Sequence, residues 1–410
     1  MAGSTRLVKA LYKFKMLKTT KNPEELAQIV PIASVYTVKV LDDIWKEDGN
    51  WDVLLEEKKR SLWDEMAILH FRASAAYRQS QFITAYRHQL DMYNAFLREF
   101  QNMSRWAVYA LFAISKDLYD LARRADTQQS MVDSQANKVE EATRAINQGF
   151  SACMTDREPL LSKSRKWGTY HMANILFGLY LQFKAYNLCN SMIRAIKASE
   201  LPSLDRFPMS DQVTFRFHRG TLAFRSEKYS IAKEDLLFAL EHCHRDAYKN
   251  KTRILMHLTP IMMMEGKMPH SRLLRRYPRV RSIYGPLVKA VKSGDLQTFD
   301  KQLRAVEQQL VSLGLYMATE YVRKLVIRQL LYKVFLIEGR ASRVPFSKFQ
   351  AGFAVAGFPQ MEIAEVECIL ADMIFSGYVK GYLAHDHGLA VLSKQMPFPR
   401  ISTLHNNPSP

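Results

Sequence analysis

Between Tyr321 and Pro399 the hydrophobic period changes from helical to alternating, and that order restricts the fold more than any other stretch of the chain. Leu325, Ile327, Leu330, Leu331, Val334 and Phe335 recur at helical spacing in VRKLVIRQLLYKVFLIEG, and Gly339 is placed to stop that helix. The basic segment RASRVP leads to Ser347, a potential cap for a second short helix that would turn Phe349, Phe353 and Val355 inward. A third helix is expected from Met361 to Ser376, burying Ile363, Val366, Ile369, Leu370, Met373 and Ile374, with Gly377 at its end. Two short strands, YVKGYLAH and GLAVLSK, follow around the turn residues Asp386, His387 and Gly388. Three helices and a two-stranded wing, in that order, describe a winged-helix module.

The chain before this module reads as helix upon helix. Residues 1–45 carry two expected helices around Pro23 and Pro31, the first with Leu7, Leu11, Phe14 and Leu17 on one side and Arg6, Lys9, Lys13 and Lys15 displayed. Such a helix can close the end of a helical array or lie on an anionic surface. From Trp51 to Phe150 the periodicity is nearly continuous, with Ala73, Ala75 and Ala76 allowing close contact and Tyr77, Phe82, Tyr86, Tyr93, Phe96 and Phe100 supplying bulk. A polar, glutamine-rich break is expected between Asp126 and Glu141. Helical pairs continue through WGTYHMANILFGLYLQFKAYNLCNSMIRAI and VTFRFHRGTLAFRSEKYSIAKEDLLFALEHC, where Gly220 and Ala223 fit the small-residue positions of helix-hairpin repeats. Pro260 should kink or end the helix it enters, and Met256, Met262, Met263 and Met264 fit adaptable core filling. The expected organisation is an N-terminal cap (1–50), a right-handed, TPR-like helical-repeat solenoid (51–315), a winged-helix domain (316–399) and a flexible tail (400–410).

Chemistry is hard to place on this chain. The sequence has no glycine-rich phosphate loop, no G-x-S-x-G elbow and no H-E-x-x-H helix. Cys153, Cys189, Cys243 and Cys368 stand far apart without metal-ligand spacing, as expected for thiols in a reducing compartment. His242 and His244 lie two apart on a helical pattern and so point to different sides, while His385 and His387 sit at the wing turn. No enzyme, cofactor or metal site is expected. Lys9, Lys13 and Lys15 interrupt any signal-peptide core, and no apolar stretch is long enough for a membrane span. A soluble intracellular protein with no membrane insertion follows as the expectation.

Charge is more informative. The chain carries a formal +18, and Lys267 to Lys348 alone holds seventeen Lys or Arg against five Asp or Glu, a net +12. Lys267, Arg272, Arg275, Arg276, Arg279 and Arg281 form a run without an acidic residue. Concentration of this kind is the footprint of a polyanion partner. Yet the third helix of the terminal module has Glu362, Glu365, Glu367 and Asp372 and no Lys or Arg, whereas a helix reading base edges needs basic or amide side chains. Sequence reading in the major groove is therefore disfavoured. Backbone contact through the basic run, Arg340, Arg343, Lys348, Lys380 and Lys394 stays open, and the acidic helix is free to meet a protein.

Three long segments, SRKWGTYHMANILFGLYLQFKAYNLCNSMIRAI, YSIAKEDLLFALEHCHRDAYKNKTRILMHLTPIMMMEGKMP and EVECILADMIFSGYVKGYLAHDHGLAVLSKQMPFP, resemble the PCI domain-containing protein 2 family, to which a signalosome-associated subunit is related. The resemblance implies a PCI fold, in which helical repeats are joined to a C-terminal winged helix, and no catalytic activity. It implies a nuclear complex that couples transcription to mRNA export near the nuclear pore, with two partners. One is a larger PCI-domain scaffold protein whose winged helix lies beside this one; the other is a small acidic, disordered protein shared with the proteasome lid. An alternative is a protein-interaction subunit of a signalosome-like or splicing-associated complex without a nucleic-acid role. On this chain the resemblance makes Lys267, Arg272, Arg275, Arg276, Arg279, Arg281, Arg340, Arg343, Lys348, Lys380 and Lys394 the candidates for non-specific contact with an RNA or DNA backbone. Tyr378, Tyr382 and Phe398 are candidate anchors for a protein partner, although Tyr378 and Tyr382 have the alternative of packing beneath the wing.

Overall fold

The structure, a computed structural model, describes residues 2–45, 59–130 and 137–401. The expected helical run over 51–58, the core of the polar break (131–136) and the tail from 402 lie outside the described residues, as do the side chains of Arg6 and Leu7. The chain divides into two compact units, Met1–His218 and Arg219–Pro410, a coarser partition than the four segments read from the sequence.

In the first unit, helix α1 (Ala2–Thr20) packs on α3 (Val35–Trp45) and α4 (Leu62–Arg78), and Leu11, Phe14 and Leu17 are buried. This places α1 as a packing helix of the unit. Between α1 and α3, Asn22 caps the short α2 (Pro23–Ile29) by accepting from the Glu24 and Glu25 amides. The array continues through α5 (Phe82–Phe100), α6 (Val108–Gln129), α7 (Lys138–Met154), α8 (Thr169–Gln182) and α9 (Tyr186–Ala198), each packing on the one before. Ala73, Ala75 and Ala76 are buried, as are Tyr86, Tyr93, Phe96 and Phe100, in the division of small and bulky residues expected from the pattern. His70 is fully enclosed with its Nε2 2.9 Å from the Thr37 hydroxyl, and burial pushes its imidazole down to about 3, so it packs as a neutral ring.

Helix α10 (Met209–Arg225) carries the boundary between the units. Within the second unit, α11 (Tyr229–His242) and α12 (Tyr248–Met264) form a packed pair, with Gly220 against Asp235 and Leu236 of α11. Of the two outcomes expected at Pro260, a kink or an end, the structure excludes the end: α12 runs on to Met264. Proline lacks the N–H that would bond the carbonyl four residues back, at Met256, and the hydroxyl of Tyr284 donates to that carbonyl at 2.8 Å instead. Met256 and Met263 are core residues, as anticipated.

Short helices follow: α13 (Ser271–Arg276), α14 (Pro278–Ser293), α15 (Leu296–Ala305), α16 (Glu307–Leu313) and α17 (Tyr316–Tyr321). Gly294 and Gly314 end α14 and α16 in the left-handed conformation, φ 66° and 70°. Helix α18 (Arg323–Ile337) buries all six apolar residues expected of the module's first helix. Helix α19 (Phe346–Val355) departs from the sequence reading in two ways. It begins after Pro345 with no side-chain cap from Ser347, and Val355 is 91% exposed while Phe349 and Phe353 are buried. Val355 is two positions from Phe353, about 200° round the helix, and so lies on its far side. Helix α20 (Ile363–Phe375) starts at Glu362, which forms a reciprocal capping box with Glu365, and it buries Val366, Leu370 and Met373. Ile363 is exposed, while Ile369 and Ile374 are half-buried, so the buried stripe is narrower than the pattern suggested.

The wing has three strands, one more than expected. Strand β1 (Arg343–Pro345), inside the presumed basic lead segment, pairs antiparallel with β3 (Leu389–Leu392), which pairs on its other side with β2 (Gly381–Ala384). Val344 and Ala390 face the core. The mostly α architecture closed by a winged helix is thus the one legible in the sequence.

Candidate nucleic-acid and partner interface

Helices α13 and α14 present the basic run. The stretch from Gly266 to Gly294 contains no Asp or Glu, so the acidic residues nearest to it in sequence are Glu265 and Asp295 at its two ends. Arg272, Arg275, Arg276, Arg279, Arg281, Lys289 and Lys292 are all exposed. Pro278 starts α14 at its first turn, and Val280, Ile283, Tyr284, Leu287, Val288 and Val291 turn inward, which leaves the charged positions on the outer surface. Between the two helices runs a groove of about 850 Å³ whose lining includes Arg275, Arg281, Lys289 and Lys292. No carboxylate lines it.

Two cations of the expected set are already engaged. Lys267 lies 3.3 Å from Glu265, which also takes Lys233 at 2.7 Å, and Lys348 lies 3.1 Å from Glu338. Burial works to raise the Glu265 carboxyl, but its hydrogen bonds from Lys233 and Lys267 outweigh that and hold it below the ordinary range. These two pairs reduce the free charge that Lys267 and Lys348 can offer a ligand.

The wing supplies a second set. Arg343 and Tyr382 both pair with Val391, one from each flanking strand, so the three side chains form a row on the outer face of the sheet. Tyr382 is 63% exposed there and Arg343 is exposed beside it. Lys380 and Lys394 are exposed near the end of the β2–β3 pair, where the Ser393 amide donates to the Lys380 carbonyl at 2.9 Å. Arg340, just past Gly339, adopts a left-handed conformation at φ 63° and is exposed.

The third helix shows no cation on its surface. Its outer side carries Ile363, Cys368 and Phe375, the last 93% exposed. Beside it, a cleft of about 470 Å³ is lined by Met317, Tyr321, Ile327, Cys368, Ile369 and Met373 together with Glu320, Arg323 and the Lys324–Asp372 ion pair at 3.0 Å. Tyr378 and Phe398 are half-buried, and the Phe398 ring meets Tyr332 and Phe335 at centroid distances of 5.3 and 5.6 Å. Arg328 holds this segment by donating to the carbonyls of Phe398 and Pro399 at 3.2 and 2.8 Å. Tyr382 is therefore the one of the three aromatic candidates presented mainly to solvent.

Residues 303–394 match the PCI domain. A Schizosaccharomyces pombe protein named "Protein CSN12 homolog" is 36% identical over 371 residues, covering 86% of this chain and 87% of its own length. "PCI domain-containing protein 2" of Danio rerio is 32% identical over 357 residues, covering 85% and 88%. A Mycosarcoma maydis "Protein CSN12 homolog" is 33% identical over 389 residues, covering 84% and 86%. The chain belongs to the family of PCI domain-containing protein 2 and the CSN12 homologues. The matched PCI domain takes in part of α15, all of α16 to α20 and the three strands.

Within this PCI-family chain the sequence-derived residues fall into separate groups. Arg275 and Arg281 share the groove; Arg343, Lys380 and Tyr382 share the wing; Lys267 and Lys348 sit in ion pairs. Lys289 and Lys292 were missed, although the acid-free stretch extends past them and their spacing from Arg281 sets them near one face of α14. Exposed Phe375 was missed because it lies at the end of its helix, directly after Met373 and Ile374, in an apolar run. Among the described residues no helix is long and apolar enough to cross a membrane, and no group of three His, Cys, Asp or Glu is placed to hold a metal ion.

Proposed function

We propose that this PCI-domain protein is a non-catalytic subunit of a nuclear complex coupling transcription to mRNA export. In that role it docks its winged helix beside that of a larger PCI-domain scaffold protein, binds a small acidic disordered protein, and contributes a basic surface to nucleic acid. The observation that carries nucleic-acid binding is the set of exposed cations on α13 and α14 with no carboxylate between them, joined by Arg340, Arg343, Lys380 and Lys394 at the wing. Contacts of this kind are to the backbone and independent of sequence. The absence of Lys and Arg from α20, with Phe375 displayed, supports docking through protein rather than base reading by that helix.

Native co-purification with identification of the bound proteins by mass tests the assignment. A larger PCI protein, a small acidic protein and nuclear-pore components are the expected companions. Recovery of signalosome subunits alone, with no effect of nuclease treatment, overturns it. That outcome would favour a protein-interaction subunit of a signalosome-like complex, a second role with which the cation-free α20 is also compatible.

A further inference from the structure

We propose that the groove between α13 and α14 is the track for a single nucleic-acid strand, its phosphodiester backbone held by Arg275, Arg281, Lys289 and Lys292. This rests on the nucleic-acid binding proposed above and places one site for it on the helical part of the second unit, apart from the wing.

The lining chemistry selects the ligand. Arginine and lysine side chains donate hydrogen bonds and accept none, and the only other polar side chains along the groove are the hydroxyls of Ser271 and Ser282. A phosphodiester offers acceptors and a charge at every residue, so it suits a wall of donors. An acidic peptide would also bring a backbone N–H at most positions, and the groove supplies no carboxylate, amide or imidazole side chain to receive them. Charge alone admits both ligands; hydrogen-bond complementarity favours the nucleic acid.

Its length selects an extended ligand over a small anion. Arg281 and Lys292 are eleven residues apart on one helix, about 16 Å at 1.5 Å per residue, with Lys289 between them. A single phosphate cannot touch both ends of such a row, whereas successive phosphates of a strand can. Leu274, Pro278 and Pro286 provide apolar surface between the cations, against which sugars and base faces can lie. Gly285 keeps the groove open: a β-carbon there would meet only the Cγ of Arg281, at 3.4 Å, an ordinary contact. A larger side chain at position 285 therefore obstructs the track without straining the helix.

The test measures binding of a uridine homopolymer to the full chain across a salt series. Replacing Arg275, Arg281, Lys289 and Lys292 by Gln should weaken binding at least about tenfold near physiological salt and reduce the slope of log K against log salt by about three, since each phosphate contact to a single strand contributes about 0.7. Gly285→Leu, which preserves every charge, should also weaken binding, and circular dichroism should show helix content unchanged in both variants. A parallel variant with Arg340, Arg343, Lys380 and Lys394 replaced by Gln reports on the wing alone. If that variant loses binding while both groove variants bind as wild type, the groove is not the track and nucleic-acid binding by the protein stands. If wild type does not bind the homopolymer, both proposals fall. Groove-dependent uptake of polyglutamate in place of the homopolymer would identify an acidic peptide site and overturn this one.

Discussion

The hydroxyl of Tyr284 donates to the carbonyl of Met256 at 2.8 Å, where Pro260 has withdrawn the helical donor. Tyr284 is fully buried, and desolvation raises its phenol above the ordinary value, so it remains a neutral donor. Tyr284→Phe leaves a buried carbonyl unsatisfied and should cost about 1–3 kcal/mol in denaturant unfolding. Pro260→Ala restores an N–H to the same carbonyl, so in the double variant the two changes should couple rather than add. Strict additivity would show that the two groups do not share the acceptor.

Arg328 ties the segment after the wing to the module's first helix. The side chain is half-buried, and burial lowers its pKa from the ordinary value, against attraction from Tyr332 and Tyr378. Arg328→Met should destabilise the second unit by about 1.5–3 kcal/mol through loss of the charged hydrogen bonds to Phe398 and Pro399. Limited proteolysis should then cut first near Met396 to Ile401. Wild-type protection of that segment in the variant would contradict the anchoring role.

His385 and Glu367 form an exposed pair at 2.8 Å, and the hydrogen bond to Glu367 raises the imidazole above its ordinary 6.5. The sign follows directly: the pair's contribution is fully present below the unfolded pKa and is lost as pH rises through the folded one. An NMR titration of the His385 ring should show a midpoint above 6.5 that returns towards it in Glu367→Gln. An unchanged midpoint in that variant would assign the shift elsewhere.

Asp117 on α6 behaves oppositely to a paired carboxylate. Burial raises it to about 6, while the hydrogen bond from the Ile32 amide at 2.9 Å and the Lys116 charge pull down and Asp120 adds to the rise. Its folded pKa exceeds its unfolded value of 3.8, so ionisation costs stability above about pH 6 and that cost disappears as pH falls towards 3.8. Asp117→Asn keeps an acceptor for Ile32 and should raise stability at neutral pH by roughly 2–3 kcal/mol, with the gain fading on acidification. A gain that is equal at all pH values would exclude titration as its source.

Phe353 and Val355 test the inward face of α19. Phe353→Ala should cost about 3–5 kcal/mol, since the ring is completely buried. Val355→Ala should change stability by less than about 0.5 kcal/mol, because the side chain is exposed. Equal losses at the two positions would place Val355 in the core.

These positions also show where sequence is informative. The buried face of α18 and the stops at Gly294, Gly314, Gly339 and Gly377 were legible because periodicity and left-handed glycine are local properties. Strand β1 was not, because three residues carry no measurable alternation and its partner β3 lies more than forty positions on. That α12 continues through Pro260 was not legible, because the hydroxyl that takes over the Met256 carbonyl belongs to another helix. At the candidate site, charge density was visible and charge availability was not. Glu265 and Glu338 engage Lys267 and Lys348 only once the chain has turned, and Phe398 is half-covered by ring contacts from α18.

A β-carbon at Gly294 would lie 3.0 Å from the Leu330 backbone nitrogen, and Lys333 donates to the Ser293 carbonyl at 2.5 Å. The end of the basic helix therefore abuts the first helix of the winged module, with little room for the two to slide. If a strand engages both the groove and the wing, as proposed, the distance it must cover is set by this junction, and the protein would then act as a ruler. Affinity should then climb in a step at the oligonucleotide length that first spans the two surfaces, rather than in even increments per added residue.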